Sequence, residues 1–238
     1  MAFFTKAGLR WALTAAAFGF LAVPILAHAE PDDAEVCAKA EAGIAIPACT
    51  RAIASKADEG HDLAAHYVNR GAGYLAQGDN DRALADFSRA IALDPADADA
   101  YNDRGDAWQL KGDNDRAIAD YNEAIRLAPN DPCPYYNRAS ARDNKGEYAL
   151  AIADYSEAIR LNPNYVVAIF NRGLTWSSFG NLGRALADFD EVLRLNPRYT
   201  NALYMRGMAK QRMGDVAGGE KDIAAAKRIN PNAGAVPE

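Results

Sequence analysis

Repeated charge is the first feature of this sequence that could do chemistry. Arg70, Arg104, Arg138, Arg172 and Arg206 stand 34 residues apart, and so do Asp86, Asp120, Asp154, Asp188 and Asp222. Such an array could bind anions or supply acid and base groups. It could equally be a ladder of ion pairs, each arginine matched to an aspartate of its own unit or of a neighbour. An unpaired, partly buried guanidinium is costly, which favours the ladder, and such pairs fix register between packed elements more than they add stability. Asp99, Asp103 and Asp106 form a second group, spaced to share one helical face. Like charges at that spacing weaken a helix unless something offsets them. A partner with a basic segment would do so, and a solvated acidic face is the plainer reading. Beyond residue 29 the only histidines are His61 and His66, too few beside Cys37, Cys49 and Cys133 to suggest a metal centre. No nucleophile has a matched histidine and no glycines cluster into a phosphate loop. Neither enzyme activity nor a cofactor is expected.

Charge and compartment narrow the partners. The 238 residues carry a formal charge of −6, and without the first 29 they hold 24 Lys and Arg against 32 Asp and Glu. A chain this acidic repels phosphate backbones, so nucleic acid is not an expected partner. Lys6 and Arg10 precede an apolar run from Trp11 to Leu26, broken by Gly19 and Pro24, and Ala27-His28-Ala29 then offers a small-x-small site. This reads as a signal peptide, residues 1–29, cleaved after Ala29. The run is shorter than the roughly 20 residues that cross a bilayer, and no second candidate follows, so the mature chain is expected to have no membrane span. Export, most naturally to a periplasm, makes Cys37 and Cys49 the expected disulfide and leaves Cys133 over.

The elements that position these groups show in the period. Asn69-Arg70-Gly71 recurs as Asp103-Arg104-Gly105, Asn137-Arg138-Ala139, Asn171-Arg172-Gly173 and Met205-Arg206-Gly207 at steps of 34. Gly78, Gly112, Gly146, Gly180 and Gly214 form a second column, and Pro95, Pro129, Pro163, Pro197 and Pro231 a third. Within a unit, an apolar stripe at helical spacing (Tyr101, Trp108) is broken at Gly112-Asp113. A second stripe (Ala117, Tyr121, Ala124, Ile125, Leu127) stops at Pro129. The pattern is helix, tight turn, helix. Five gapless units, 64–97, 98–131, 132–165, 166–199 and 200–233, account for 170 residues. Residues 30–63 read as a degenerate helical hairpin that caps the stack, with Cys37 on its first helix and Cys49 on its second. Residues 234–238 are a short tail.

These units resemble tetratricopeptide repeats. Tyr101, Gly105, Trp108, Ala117, Tyr121, Ala124 and Pro129 stand in the family's signature places, as do Ile169, Gly173, Trp176, Ala185, Phe189, Val192 and Pro197. Arg142 departs by replacing an aromatic, and Lys210, Gly219 and Ile223 weaken the fifth unit. The resemblance implies an all-α solenoid, a right-handed superhelix of stacked hairpins, whose first helices line a concave face that binds an extended peptide. Three rows of that face are candidates. Asn69, Asn137 and Asn171, in one column with Asp103 and Met205, could hydrogen-bond a peptide backbone or bridge packed helices, and Asn102 is a further groove candidate. Tyr136, Phe170 and Tyr204, with Leu174 and Met208, could be exposed hot spots or could pack against the adjoining repeat. Asp99, Asp103 and Asp106 would receive basic residues. The lysine and arginine pairs that clamp a C-terminal carboxylate in some relatives are replaced here by Ala65, Asp99, Cys133, Val167 and Asn201. Cys133, at a helix start, is expected to have a lowered pKa and could link to a partner or a second copy. The implied function is a protein-interaction scaffold of the cell envelope, with self-association or holding of unfolded peptides as alternatives.

Overall fold

A computed structural model describes residues 33–39 and 42–234, which hold twelve α-helices and no strand. The expected signal peptide and residues 235–238 lie outside the described residues. The helices pair in chain order: α1 (Asp33–Lys39) with α2 (Ala42–Ser55), α3 (Gly60–Ala76) with α4 (Asn80–Leu93), and α5 (Ala98–Leu110) with α6 (Asn114–Leu127). Then α7 (Pro132–Asn144) pairs with α8 (Tyr148–Leu161), α9 (Val166–Ser178) with α10 (Leu182–Leu195), and α11 (Thr200–Arg212) with α12 (Val216–Ile229). Each helix packs on the one before it and the one after it, an all-α solenoid.

Local chemistry sets each boundary. The turn glycines Gly78, Gly112, Gly146, Gly180 and Gly214 have φ between +75° and +94°, where other residues are strained. Asp79, Asp113, Asn181 and Asp215 then cap α4, α6, α10 and α12 by accepting the backbone N–H of Arg82, Arg116, Arg184 and Gly218. The prolines of the third column stand just past the ends of α4, α6, α8, α10 and α12, where they cost no helical bond. Inside the hairpins, Phe87, Tyr121, Tyr155 and Phe189 are at most 2% exposed and fill the space over Gly71, Gly105, Ala139 and Gly173. A Cβ added at Gly105 would stand 2.5 Å from the Tyr121 ring, which is why a residue without one sits there. In the last hairpin no aromatic intervenes, and the backbone of α12 at Gly219 comes against Gly207 of α11.

The arginines and aspartates form ion pairs within each hairpin. Nε and Nη2 of Arg70, Arg104, Arg138, Arg172 and Arg206 donate to the two carboxylate oxygens of Asp86, Asp120, Asp154, Asp188 and Asp222 at 2.6–3.0 Å. Nη1 reaches back to the preceding hairpin, to Thr50 and Ser88 (3.4 Å each), Asn122 (2.6 Å), Ser156 (3.0 Å) and Asp190 (2.7 Å). Each guanidinium therefore joins three helices and two hairpins. Arg82, Arg116 and Arg184 stack 4.5 Å from the ring centres of Tyr74, Trp108 and Trp176. Arg142 and Lys210 occupy those aromatic positions in the other two hairpins and bind Asp154 and Asp222 at 2.6 and 2.8 Å. There the stacking arginine is replaced by Leu150 and Gly218, so two cations do not meet.

At the N-terminal end Cys37 and Cys49 are joined by a disulfide between α1 and α2, and both are buried. Arg51 pairs with Asp33 at 2.6 Å across the same hairpin. The solenoid has a defined inner side: α3 touches α5, α5 touches α7, α7 touches α9 and α9 touches α11, while α4, α6, α8, α10 and α12 do not touch one another. The odd-numbered helices thus crowd together on the concave face.

Candidate functional site

The inner face is built from side chains that the 34-residue period brings into rows on α3, α5, α7, α9 and α11. The asparagine row is largely engaged with the protein itself. Asn137 of α7 donates its Nδ2 to Oδ1 of Asn102 on α5 at 3.0 Å, and Asn171 of α9 donates to the Tyr136 hydroxyl on α7 at 3.0 Å. Both bonds link a residue to the one 35 positions earlier, across neighbouring inner helices. At the same offset Phe170 precedes Met205, and the two share one packed core, while Val68 precedes Asp103, whose carboxylate accepts the Asn102 Nδ2–H of its own helix at 3.5 Å. Asn69 lies half-buried on α3 without a side-chain hydrogen bond among the described residues.

The aromatic row sits deeper than a docking surface. Phe170 is only 8% exposed, with its ring 5.8 Å from Phe189 and 5.2 Å from Tyr199, so it belongs to the packing between hairpins rather than to an open groove. Of the two readings of this row, packing against the adjoining repeat is the one the structure has at this residue, because the next hairpin's Tyr199 closes over it. Leu174 and Tyr204 pack on the same core, and Tyr136 is half-buried against Tyr155 and Tyr165. Met208, 36% exposed, and Val167, 42% exposed, are the apolar side chains that remain open on α11 and α9.

The acidic group is the unusual part. Asp99 is exposed at the start of α5, and Asp103 and Asp106 follow on its inner side, half-buried. Among the described residues no cation pairs with any of them. Burial, and then the neighbouring charge of Asp106, holds the Asp103 carboxyl up at about 7. Asp106 is also raised by burial, although it accepts a 2.7 Å bond from the Tyr121 hydroxyl. Asp99 is raised by burial and by Asp97 and Asp131. Beside this group lies an open cavity of about 470 Å³ lined by Leu75, Asp106, Gln109, Leu110, Asn137 and Asn144. Gln109 also touches the Tyr121 hydroxyl at 3.0 Å and donates to Ser140 at 2.9 Å. Sequence reasoning missed Gln109, Ser140 and the buried hydroxyl of Tyr121, since Tyr121 reads as a core aromatic and the other two stand in no recurring column.

Cys133 is exposed and free, at the second position of α7. Its thiol is pushed up rather than down, by partial burial and then by Asp131. Asp131 caps α7 by accepting the Cys133 N–H at 2.9 Å, and that carboxylate cancels the helix-terminal field that would have favoured a thiolate. The expected activation is therefore absent.

Residues 68–132 and 132–165 match family profiles described as tetratricopeptide repeat. No curated protein matches significantly. Among solved structures, YrrB, described as a TPR protein with an unusual peptide-binding site, is 24% identical, with 77% of this chain and 93% of that one covered and a TM-score of 0.63. MamA from Desulfovibrio magneticus is 18% identical over 72% of this chain and 97% of that one, with a TM-score of 0.66. Pseudomonas aeruginosa pilF is 20% identical over 70% and 76%, with a TM-score of 0.64. At these identities the likeness is one of fold.

Proposed function

The chain is a tetratricopeptide-repeat protein, and from that premise we propose that it is a non-catalytic scaffold of the cell envelope whose inner face holds an extended segment of another protein. Repeat scaffolds of this family are generally non-catalytic, and a similarly folded protein is described as having a peptide-binding site. The Cys37–Cys49 disulfide supports an oxidising compartment.

The observation that carries the reading is the unpaired, half-buried pair Asp103 and Asp106 on the inner side of α5. Carboxylates held without a counter-charge at a loss to the fold are a place for a ligand cation. Lysine or arginine of the bound segment sits against α5 beside the 470 Å³ cavity, and apolar residues follow toward Val167 and Met208. Asn137 and Asn171 are taken up by Asn102 and Tyr136, so main-chain hydrogen bonding falls to Asn69 at the N-terminal end of the face.

Fluorescence polarisation with a labelled extended peptide carrying central lysines and apolar C-terminal residues tests this. Asp103→Asn with Asp106→Asn is expected to weaken binding about tenfold at pH 8, the loss of one partly desolvated charge pair. Wild-type affinity should also fall from pH 8 to pH 6, because Asp103, at about 7, takes up a proton and ceases to attract the cation. Binding indifferent to both the substitutions and pH would remove the acidic pair from the site.

A further inference from the structure

The α5–α6 and α9–α10 hairpins are built alike around one spot. Ser88, Arg104, Trp108, Arg116, Ala119 and Asp120 recur, 68 residues on, as Ser156, Arg172, Trp176, Arg184, Ala187 and Asp188. In both, the first arginine grips the aspartate with Nε and Nη2 and reaches the serine with Nη1. In both, the second arginine lies 4.5 Å from the centre of the tryptophan ring. The helix cap is what differs. Asp113 caps α6 with Oδ1 and pairs through Oδ2 with Arg116 Nε at 3.3 Å. Asp79 does the same for α4, accepting from Arg82 Nε at 2.6 Å. Asn181 caps α10 by accepting the Arg184 N–H at 3.1 Å, but it brings no charge. Gly183 likewise stands where Asp115 stands in the earlier hairpin. Among the described residues the Arg184 side chain is left with no ion pair and no hydrogen bond, yet it keeps its place on the indole.

A cavity of about 270 Å³ opens beside this guanidinium, lined by Ser156, Arg172, Trp176, Arg184, Ala187 and Asp188. Ser156 belongs to α8, and Arg184, Ala187 and Asp188 to α10, two helices that do not touch one another. The cavity therefore lies in the gap between even-numbered helices, away from the inner face. Its charges do not cancel. Asp188 spends both oxygens on Arg172, whereas Arg184 is unmatched. Ser156 gives its proton to the Ile152 carbonyl at 2.7 Å and accepts from Arg172, so it offers a ligand no donor. The donors left over are those of Arg184 and the N–H groups that Arg172 has not used; a guanidinium carries five, and Arg172 spends three.

We propose that this cavity receives a carboxylate side chain, aspartate or glutamate, from a partner protein, which takes in trans the place that Asp113 fills in cis. The chain itself supplies the template: Arg82 and Arg116, held on their rings as Arg184 is, both take a carboxylate. The buried charge of Asp188 opposes a doubly charged anion and so disfavours phosphate. Stacking on Trp176 fixes the guanidinium before the ligand arrives, which lowers the cost of ordering it. Arg184 is exposed, so the pair adds a few-fold to affinity and serves to select the partner residue. This inference stands independently of the cationic segment proposed for the inner face.

Amide and indole ¹H–¹⁵N NMR on the full chain tests it, with capped Gly-Glu-Gly as the probe against capped Gly-Gln-Gly and inorganic phosphate. The Trp176 indole signal should shift saturably with the glutamate peptide and not with the glutamine one. Trp108 should stay still in the same spectrum, because Asp113 already occupies its arginine. Asn181→Asp gives α10 the cap that α4, α6 and α12 have, so it keeps the fold, and it should weaken the Trp176 response about fivefold with Tm unchanged or higher. Arg184→Gln should weaken it by a similar factor. A still Trp176, an equal shift at Trp108, or an Asn181→Asp protein that responds as wild type does would overturn the proposal. So would phosphate acting at lower concentration than the glutamate peptide, which would make this a site for inorganic anions.

Discussion

Replacing Asp103 by asparagine should make the protein more stable, and the gain should depend on pH in a fixed direction. The carboxyl has an ordinary value of 3.8 and is held at about 7 in the fold, first by burial and then by Asp106. A folded value above the unfolded one means that the folded chain holds the proton more tightly. The contribution of this group to stability is then fully present below the unfolded value and is lost as pH rises through the folded one. At about 1.4 kcal/mol for each tenfold change in proton affinity, the full penalty above pH 7 is roughly 4 kcal/mol. Asp103 is half-buried rather than sealed from water, and solvent screening reduces that to about 2 kcal/mol. Asparagine carries no charge, is close in shape, and is the residue that stands at this position as Asn69, Asn137 and Asn171. Asp103→Asn should therefore raise stability by about 2 kcal/mol at pH 8, or about 4–8 °C in Tm, and the gain should shrink toward zero by about pH 4. Urea or thermal melts of both proteins across that range, compared pairwise so that other carboxylates cancel, measure it. A variant no more stable at pH 8, or equally stabilised at pH 4 and pH 8, would refute the electrostatic reasoning. Stabilisation joined to weaker binding of a cationic peptide would mark Asp103 as a residue kept for function.

The ion-pair ladder makes a second prediction. Asp120→Asn or Arg104→Leu alone should cost about 3 kcal/mol by leaving the other charge half-buried, and a double-mutant cycle should show coupling of about 1–3 kcal/mol. Additive single effects in chemical denaturation would dismiss the pair. Gly105→Ala places a Cβ 2.5 Å from the Tyr121 ring, whose hydroxyl is held by Asp106 and Gln109. The expected loss is about 1–3 kcal/mol by overpacking, and an unchanged Tm would show that the ring can shift. Reduction of the Cys37–Cys49 disulfide, a separation of 12 residues, should weaken the α1–α2 hairpin by about 3 kcal/mol. Amide exchange should then quicken in α1 and α2 while α5 to α10 keep their protection; uniform deprotection would show that the cap and the stack unfold as one.

The departures show where sequence reading runs short. Arg142 and Lys210 read as losses of an aromatic. In three dimensions each is the second cation on Asp154 or Asp222, matched by the loss of the stacking arginine at Leu150 or Gly218. In each hairpin two changes eight residues apart along the chain are one physical event, visible only once α7 faces α8 and α11 faces α12. The thiol of Cys133 likewise depends on Asp131 turning back to cap the helix, a local conformation that residue types alone leave open.

A period of 34 was enough for the stacked helical hairpins, because glycine at each tight turn, proline past each second helix and small residues beneath each buried aromatic leave few other ways to hide the apolar stripes. The recurrence of arginine and aspartate likewise announced that charges would meet. Which charges meet was settled only by packing. Each arginine takes the aspartate sixteen residues later on its own hairpin and, with its remaining nitrogen, a residue of the preceding one that stands sixteen earlier, or twenty earlier for Arg70. The fate of the inner face was also tertiary. Asn137, Asn171 and Phe170 sit in rows like those of any groove, but neighbouring helices approach closely enough to occupy them, while Asp103 receives only the Asn102 amide and no cation among the described residues. Periodicity dictates which side chains share a face; the distance between faces decides which of them are left for a ligand.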